Sequence, residues 1–379
     1  MTAPLVLFGA FDRHNFGDLL FPHFAAARSA PRPVLCAGLA ERDFSALDGH
    51  RVLALPRLVA HWREHYGEAP LDLVHAGGEI LSVDAWQAAL MLRPGDEAAA
   101  LIARLDADKS MRMAWARAQL GIEREAAYVL AKADLPGAGR IEFRAVGGVD
   151  LAGCAAPLRA EVAAALRQAD AVSVRDRVTQ VALASLGIAA SLEADPVAQI
   201  AGCCAARIAS RRPRLDAEGI TGTYLAVQFS ADYGDDATLA TIAAQLDRAA
   251  SARHCAVVFF RAGAAPWHDD LDVYRRCAAR MKCGTTRIFA SLDIWDICAL
   301  LAGAGAYCGS GLHGAIVAEA CGVPALSLAR DASCGQGAKV AAWWMTWRPE
   351  AGQRLCPPQE LAAGLASLPG AASPGPPAA

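Results

Sequence analysis

Ala306-Tyr-Cys-Gly-Ser-Gly-Leu-His-Gly-Ala-Ile-Val-Ala-Glu-Ala-Cys-Gly-Val-Pro-Ala-Leu-Ser-Leu328 packs a strand, a glycine turn, a short helix and a second strand into one stretch of chain. Ala306–Cys308 reads as a buried strand. Gly314–Cys321 reads as a helix, and Ala325–Leu328, released by Pro324, as the next strand. Strand–helix–strand alternation marks a parallel α/β sheet. No Asp, Glu, Lys or Arg occurs from Ile297 to Ala318, a stretch long enough to span a bilayer. The glycine turn interrupts it, and a helix, a strand and a turn in a protein core explain it better.

The same alternation extends outward in both directions. Strands are expected at Leu5–Phe8, Pro33–Ala37, Arg51–Leu55, Leu71–His75, Ile141–Val146, Ala171–Val174, Thr223–Gln228, Cys255–Phe260 and Thr286–Phe289. Helical patterns cover Leu158–Gln168, Thr179–Leu186, Ala237–Ala252, Asp270–Met281 and Ile294–Ala302. An Arg-rich break with Pro213 and Gly219 separates the two halves. The expected organisation is an N-terminal α/β domain over 1–205 with a helical insertion at about 86–140. A C-terminal α/β domain over 218–356 would bind the donor, and a partly disordered tail over 357–379 would begin with a short helix. The fold class is α/β: two Rossmann-like, doubly wound domains facing a cleft, a GT-B-like arrangement. Ligands of open α/β sheets bind beyond the carboxyl ends of the strands.

Composition agrees with two buried sheets. The chain has 379 residues, 54% hydrophobic and 20% charged, which is ample for two cores. Its formal net charge of -3 carries no basic signature of a nucleic-acid binder. An anionic ligand must therefore be held by a few local cations, and Lys109, Lys132, Lys282 and Lys339 are the only lysines. Twelve cysteines are scattered with no C-x-x-C pair, so neither a zinc site nor a disulfide framework is expected. The N-terminal sequence lacks a basic region before its apolar run, and Asp12 and Arg13 interrupt that run, so it does not read as a signal peptide. The natural compartment is a reduced cytoplasm.

Five segments carry candidate chemistry. Gly9-Ala-Phe-Asp-Arg-His-Asn-Phe-Gly-Asp18 follows the first strand and can present backbone N–H groups and a helix start to an anion. Asn15 and Asp18 can equally cap that helix in a plain turn. Asp72-Leu-Val-His-Ala-Gly-Gly-Glu79 ends a strand in Gly77 and Gly78, which allow positive φ or close ligand approach, with Glu79 placed for a sugar hydroxyl. A tight turn is the simpler alternative. Ser173-Val-Arg-Asp-Arg-Val-Thr179 puts Arg175 at a strand–helix junction, where its rigid fork matches carboxylate or phosphate. An Arg–Asp ion pair at the surface is the alternative. In the opening stretch, Ser310, His313 and Gly314 stand at a helix start, which disfavours imidazolium unless a bound anion reverses the effect. Lys339 follows a glycine-rich loop and is a further candidate anion contact. Gly309, Gly311 and Gly314 also spell G-x-G-x-x-G with Asp331 downstream, so a nicotinamide-dependent enzyme is a rival. The late position of the pattern counts against that rival.

Taken in order, these segments resemble the polysaccharide pyruvyl transferase family. The resemblance rests on Asn15-Phe-Gly17-Asp18, Gly77-Gly78, Ser173 to Asp176, Leu183 to Ile188, Asp195-Pro196, Leu312 to Pro324 and Lys339. It implies a phosphoenolpyruvate donor gripped by Arg175, His313 and Lys339. No other cofactor and no metal is implied. His313 would act as acid or phosphate stabiliser, and Asp18 or Glu79 would deprotonate an acceptor hydroxyl. Substrate contacts would come from Asn15, Gly17, Gly77, Gly78, Glu79, Ser310, Gly314 and Glu319. The acceptor would be a sugar or a lipid-linked saccharide, the latter implying peripheral contact with the inner membrane face. The sequence departs from the family at Gly311, where Arg commonly precedes Leu-His, and at Glu79, where a glycine is common. Two other readings stay open. One is a GT-B glycosyltransferase using a nucleotide sugar, with Glu319 as the ribose contact; the other is a non-catalytic relative.

Overall fold

A computed structural model describes residues 3–135, 137–282, 284–351 and 354–368. It separates into two compact units. One comprises residues up to Val197 together with Ala264–Pro266, and the other Ala198–Gly263 with the chain from Trp267 onward. The first holds β1 (Leu5–Phe8), β2 (Val34–Gly38), β3 (Arg42–Asp43), β4 (Arg51–Ala54), β5 (Leu71–Ala76), β6 (Ala138–Val146), β7 (Ala171–Val174) and β8 (Ser191–Leu192). The second holds β9 (Tyr224–Gln228), β10 (Ala256–Phe260), β11 (Thr286–Phe289), β12 (Ala306–Gly309), β13 (Ala325–Leu328) and β14 (Leu355–Cys356).

The first sheet runs β3-β4-β2-β1-β5-β6-β7-β8 and is parallel except for β3. The second runs β11-β10-β9-β12-β13-β14, parallel throughout. That is the Rossmann order, in which the chain first builds outward one way and then the other. Each sheet therefore has a switch point, between β1 and β5 in the first and between β9 and β12 in the second. The expected pair of Rossmann-like domains is present. Every anticipated strand forms, with β6 starting earlier, at Ala138. The two-residue strands β3, β8 and β14 are too short to show a sequence pattern.

Two expected boundaries move. The break anticipated between the halves is helical, at Ile200–Ala209 and Arg212–Ala217, and the division falls earlier, after Val197. The helical insertion is real, with helices at Ala85–Met91, Gly95–Leu105 and Lys109–Leu120, and it belongs to the first core through Trp86, Leu101 and Met113. The second domain does not stop at 356. Leu361, Leu365 and Leu368 are buried in its core, and Ala362 N–H donates to Gln245 Oε1 at 3.1 Å. The rest of the expected tail, 369–379, lies outside the described residues.

His75 fastens the insertion to the first sheet. It lies across from Phe8 on β1 and Phe143 on β6, stacking on Phe143 at 3.8 Å and meeting Phe8 edge-on at 5.7 Å. Its Nε2 accepts the Leu130 N–H at 3.0 Å, so Nδ1 carries the proton and donates to the Glu142 carbonyl at 3.3 Å. Burial lowers its pKa to about 3, which keeps the ring neutral. The neutral buried form favours folding above the ordinary pKa of 6.5, and this contribution is lost as pH falls toward 3. We expect His75→Ala to cost about 3 kcal/mol in urea unfolding, since it leaves a hole and an unpaired Leu130 N–H. His75→Gln should lose part of the wild type's acid sensitivity between those two pH values.

Candidate functional site

Residues singled out from the sequence stand at both switch points. In the first domain the ends of β1 and β5 approach so closely that a Cβ at Gly9 would lie 2.1 Å from the Ala76 carbonyl. Gly77 follows with φ of 121°, a conformation that only glycine adopts readily. Asn15 caps the Phe16–Ser29 helix by accepting the Gly17 N–H at 3.2 Å. Asp18, in the first turn, is 4% exposed and interacts electrostatically with Arg13. A Cβ at Gly78 would sit 3.1 Å from Asp18 Oδ1 and 3.8 Å from Arg175, so this glycine separates the acid from the guanidinium.

Arg175 is deeply buried at 3% exposure, and two carboxylates clasp it. Its NH2 meets Glu79 Oε1 at 2.6 Å, and its NH1 meets Asp195 Oδ2 at 3.2 Å. Burial opposes its charge, and Glu79 and Asp195 more than offset it, so its pKa is raised. Glu79 also accepts the Val149 N–H at 2.9 Å, and Asp195 accepts the Val197 N–H at 3.0 Å. Asp176 is the N-cap of the Arg177–Ser185 helix through the Thr179 N–H at 2.7 Å. The structure thus brings Asp18, Gly78, Glu79 and Arg175 together. It makes Glu79 a partner of Arg175, where the sequence suggested a contact to a sugar hydroxyl. A donor anion at Arg175 has to share it with these acids.

A second constellation in this domain was not singled out from the sequence. Tyr128 O–H donates to Asp12 Oδ1 at 2.8 Å, while Asp12 Oδ2 accepts the Leu39 and Ala40 N–H groups at 2.6 and 3.2 Å. Arg13 donates to the Tyr128 hydroxyl at 2.8 Å and lies over its ring. The partners stand far apart in the chain, and only the adjacent Asp12-Arg13 pair was visible in advance.

In the second domain, β12 ends at the turn Gly309-Ser310-Gly311, and the Leu312–Ala320 helix starts with His313, which is 8% exposed. The Tyr307 side chain folds back under this turn. A Cβ at Gly309 would lie 2.3 Å from Tyr307 Oη, and one at Gly314 2.4 Å from it. One at Gly311 would lie 2.7 Å from Gln228 Oε1. The G-x-G-x-x-G pattern is therefore required by the protein's own packing, without a dinucleotide. Ser310 Oγ accepts the Ser230 N–H at 3.1 Å, joining the turn to the end of β9.

Glu319, the candidate ribose contact, lies toward the far end of the same helix and pairs with Arg348 at 3.7 Å. Asp331 accepts the Ser333 N–H at 2.7 Å in an exposed local turn. Lys339 is partly buried on the Gly335–Trp347 helix. Among the described residues no group of three His, Cys, Asp or Glu side chains converges as metal ligands, and each described cysteine is a free thiol. No helix among them is long and apolar enough to cross a membrane.

Against this geometry, residues 155–332 match the sequence model of the family described as polysaccharide pyruvyl transferase. That stretch includes Arg175 and His313 and leaves Asp18 and Lys339 outside. The resemblance read from the motifs is borne out over it. No curated protein matches the chain by sequence. Among solved structures, the UDP-GlcNAc 2-epimerase of Methanocaldococcus jannaschii is similar at 11% identity and a TM-score of 0.55, covering 96% of this chain and 92% of that one. The S. aureus MnaA–UDP structure is similar at 10% identity and 0.52, covering 96% and 87%. Anabaena HepE in complex with UDP-glucose is similar at 12% identity and 0.50, covering 97% and 89%. At these identities the likeness concerns the fold: two Rossmann-like domains of the GT-B kind.

The buried triad of Arg175, Glu79 and Asp195 makes a direct prediction. Arg175→Ala strands two acids in the interior and should cost on the order of 3–5 kcal/mol, read by urea unfolding at neutral pH. Arg175→Lys should recover part of this, because a single ammonium cannot serve both carboxylates as the planar fork does.

Proposed function

We propose that this chain is a polysaccharide pyruvyl transferase, moving the enolpyruvyl unit of phosphoenolpyruvate onto a sugar as a ketal and releasing phosphate. The observation that carries the reading is His313. It stands at the carboxyl end of β12, at the switch point of a Rossmann sheet and the start of a helix, inside the stretch that matches the family. A helix start and a histidine together form a receptor for phosphate or carboxylate.

The chemistry needs few groups. The methylene carbon of the donor gains a proton and becomes a methyl group. The central carbon forms bonds to two sugar oxygens and loses its bond to the phosphate oxygen. One hydroxyl proton is matched by that methyl proton, and the other leaves with hydrogen phosphate. His313 supplies the acid or stabilises the departing phosphate, and Lys339 supplies a second positive charge. Arg175 enters as a cation shared with Glu79 and Asp195. Asp18, buried beside Gly78, is the base for an acceptor hydroxyl, with Asn15, Gly17, Gly77 and Gly78 shaping its surroundings. No metal or further cofactor takes part in this reading. The acceptor is a saccharide, free or lipid-linked, and the enzyme works in the cytoplasm, at the inner membrane face when the acceptor is lipid-borne.

The similar UDP-GlcNAc 2-epimerase and the similar structures holding UDP or UDP-glucose favour one competing reading, an enzyme of nucleotide sugars with Glu319 at the ribose. Calorimetric titration separates the two. Phosphoenolpyruvate should bind saturably while UDP and NAD do not, and His313→Ala and Lys339→Ala should each weaken binding about tenfold or more, as loss of a charge-assisted contact does. Binding of UDP without phosphoenolpyruvate would replace the reading with the competing one.

A further inference from the structure

Beneath the turn that carries His313 runs a buried chain of polar groups that the reaction does not call on. Gln228, the last residue of β9, is 3% exposed. Its Oε1 accepts the Gly311 N–H at 2.9 Å and lies 3.2 Å from the Tyr307 hydroxyl, which also reaches the Gly311 carbonyl at 3.0 Å. Since Oε1 faces the turn, Nε2 must face the other way, and there it donates to Asp269 Oδ1 at 2.6 Å. Asp269 Oδ2 accepts the Ala262 and Gly263 N–H groups at 2.6 and 3.3 Å. The Gln228, Ala262 and Gly263 contacts of this carboxylate are all with donors, an arrangement that suits the ionised acid.

We propose that Gln228 and Asp269 are positioning residues for His313: the protonation state of Asp269 decides which way the Gln228 amide faces, and so whether the Gly311 turn is pinned. The inference rests on the reading of His313 as a donor contact. A proton on Asp269 has to sit on Oδ1, because two backbone N–H groups occupy Oδ2. It then needs an acceptor where Gln228 Nε2 now donates. The amide satisfies it by turning over, which points Nε2 at the Gly311 N–H and removes that group's acceptor. The turn two residues ahead of His313 is released. Burial pushes the Asp269 carboxyl up to about 7, against the N–H groups of Ala262, Gln228 and Gly263 and the charge of Arg261. Tyr274 and Tyr307 are the other titratable groups that feel it, and burial holds both well above the usual tyrosine range. His268 and Asp270 flank it in the chain.

Ser310-Gly311 is the only Ser-Gly junction in the sequence, so carbonyl-13C serine with 15N glycine marks the Gly311 amide alone in the full-length protein. In the wild type its resonance should shift through one transition centred near pH 7. In Asp269→Asn it should stay fixed over the same range. An equal transition in the variant, or none in the wild type, would overturn the proposal. Gln228→Met, which keeps the shape and cannot hydrogen-bond, should likewise abolish the transition, and it serves if Asp269→Asn does not fold. In parallel, Asp269→Asn should bind phosphoenolpyruvate about tenfold more weakly at pH 8 and lack the wild-type break near 7 beyond the ligand's own titration. Unchanged binding with the same break refutes the positioning role. A wild type that binds no phosphoenolpyruvate removes the reaction reading alone, because the Gly311 resonance still reports on the network.

Discussion

Only backbone fits at the end of β12. Tyr307 turns its hydroxyl back beneath its own strand, so a side chain at Gly309 or Gly314 would collide with it, and Gln228 reaches across from β9 to occupy the space beside Gly311. The helix carrying His313 is brought down onto the sheet by that absence. The close approach sets where the helix starts, and hence where the imidazole sits relative to the strand ends. A dinucleotide fold uses the same glycine spacing to admit a pyrophosphate. Here the protein's own phenol and amide take up the space.

The first domain meets a similar constraint with charge. Arg175 is the only cation in its triad and holds two buried acids, from the end of β5 and from the segment after β8. Taking three charges out of water is costly unless each is paired, and the pairing draws three separate loops to one point beside Gly78. Asp18 stands on the other side of that glycine, where it feels the charge of Arg13.

The sequence was most informative where the chain contacts its near neighbours. Periodicity placed the long strands because each is apolar along its whole length, and the glycines, His313 and Arg175 could be named because they stand at strand ends. Partnership was hidden. Glu79 and Arg175 are 96 residues apart, and Gln228 and Gly311 are 83, so nothing local ties them together. Asp269 was masked by its neighbour, since Asp270 is the visible cap of the Leu271–Ala278 helix. Gln228 did carry a signal that could have been read, as an amide closing an otherwise apolar strand at the first position of a Rossmann sheet. The short helix expected after Pro357 forms, and only its place in the core was hidden. Leu361, Leu365 and Leu368 are spaced for one helix face, but the alanine, glycine and proline around them mimic a loose tail.

Those three leucines also bear on how the chain is made. The first core is assembled from residues that all precede Val197, so it can close while synthesis of the second half is under way. The second core draws on β14 and on Leu361, Leu365 and Leu368, which follow it in the sequence. Until those residues leave the ribosome, β13 has an open edge and the core lacks part of its apolar lining, a condition in which α/β intermediates aggregate. A chain cut before Leu361 would therefore have its first core complete and its second core short of part of its lining.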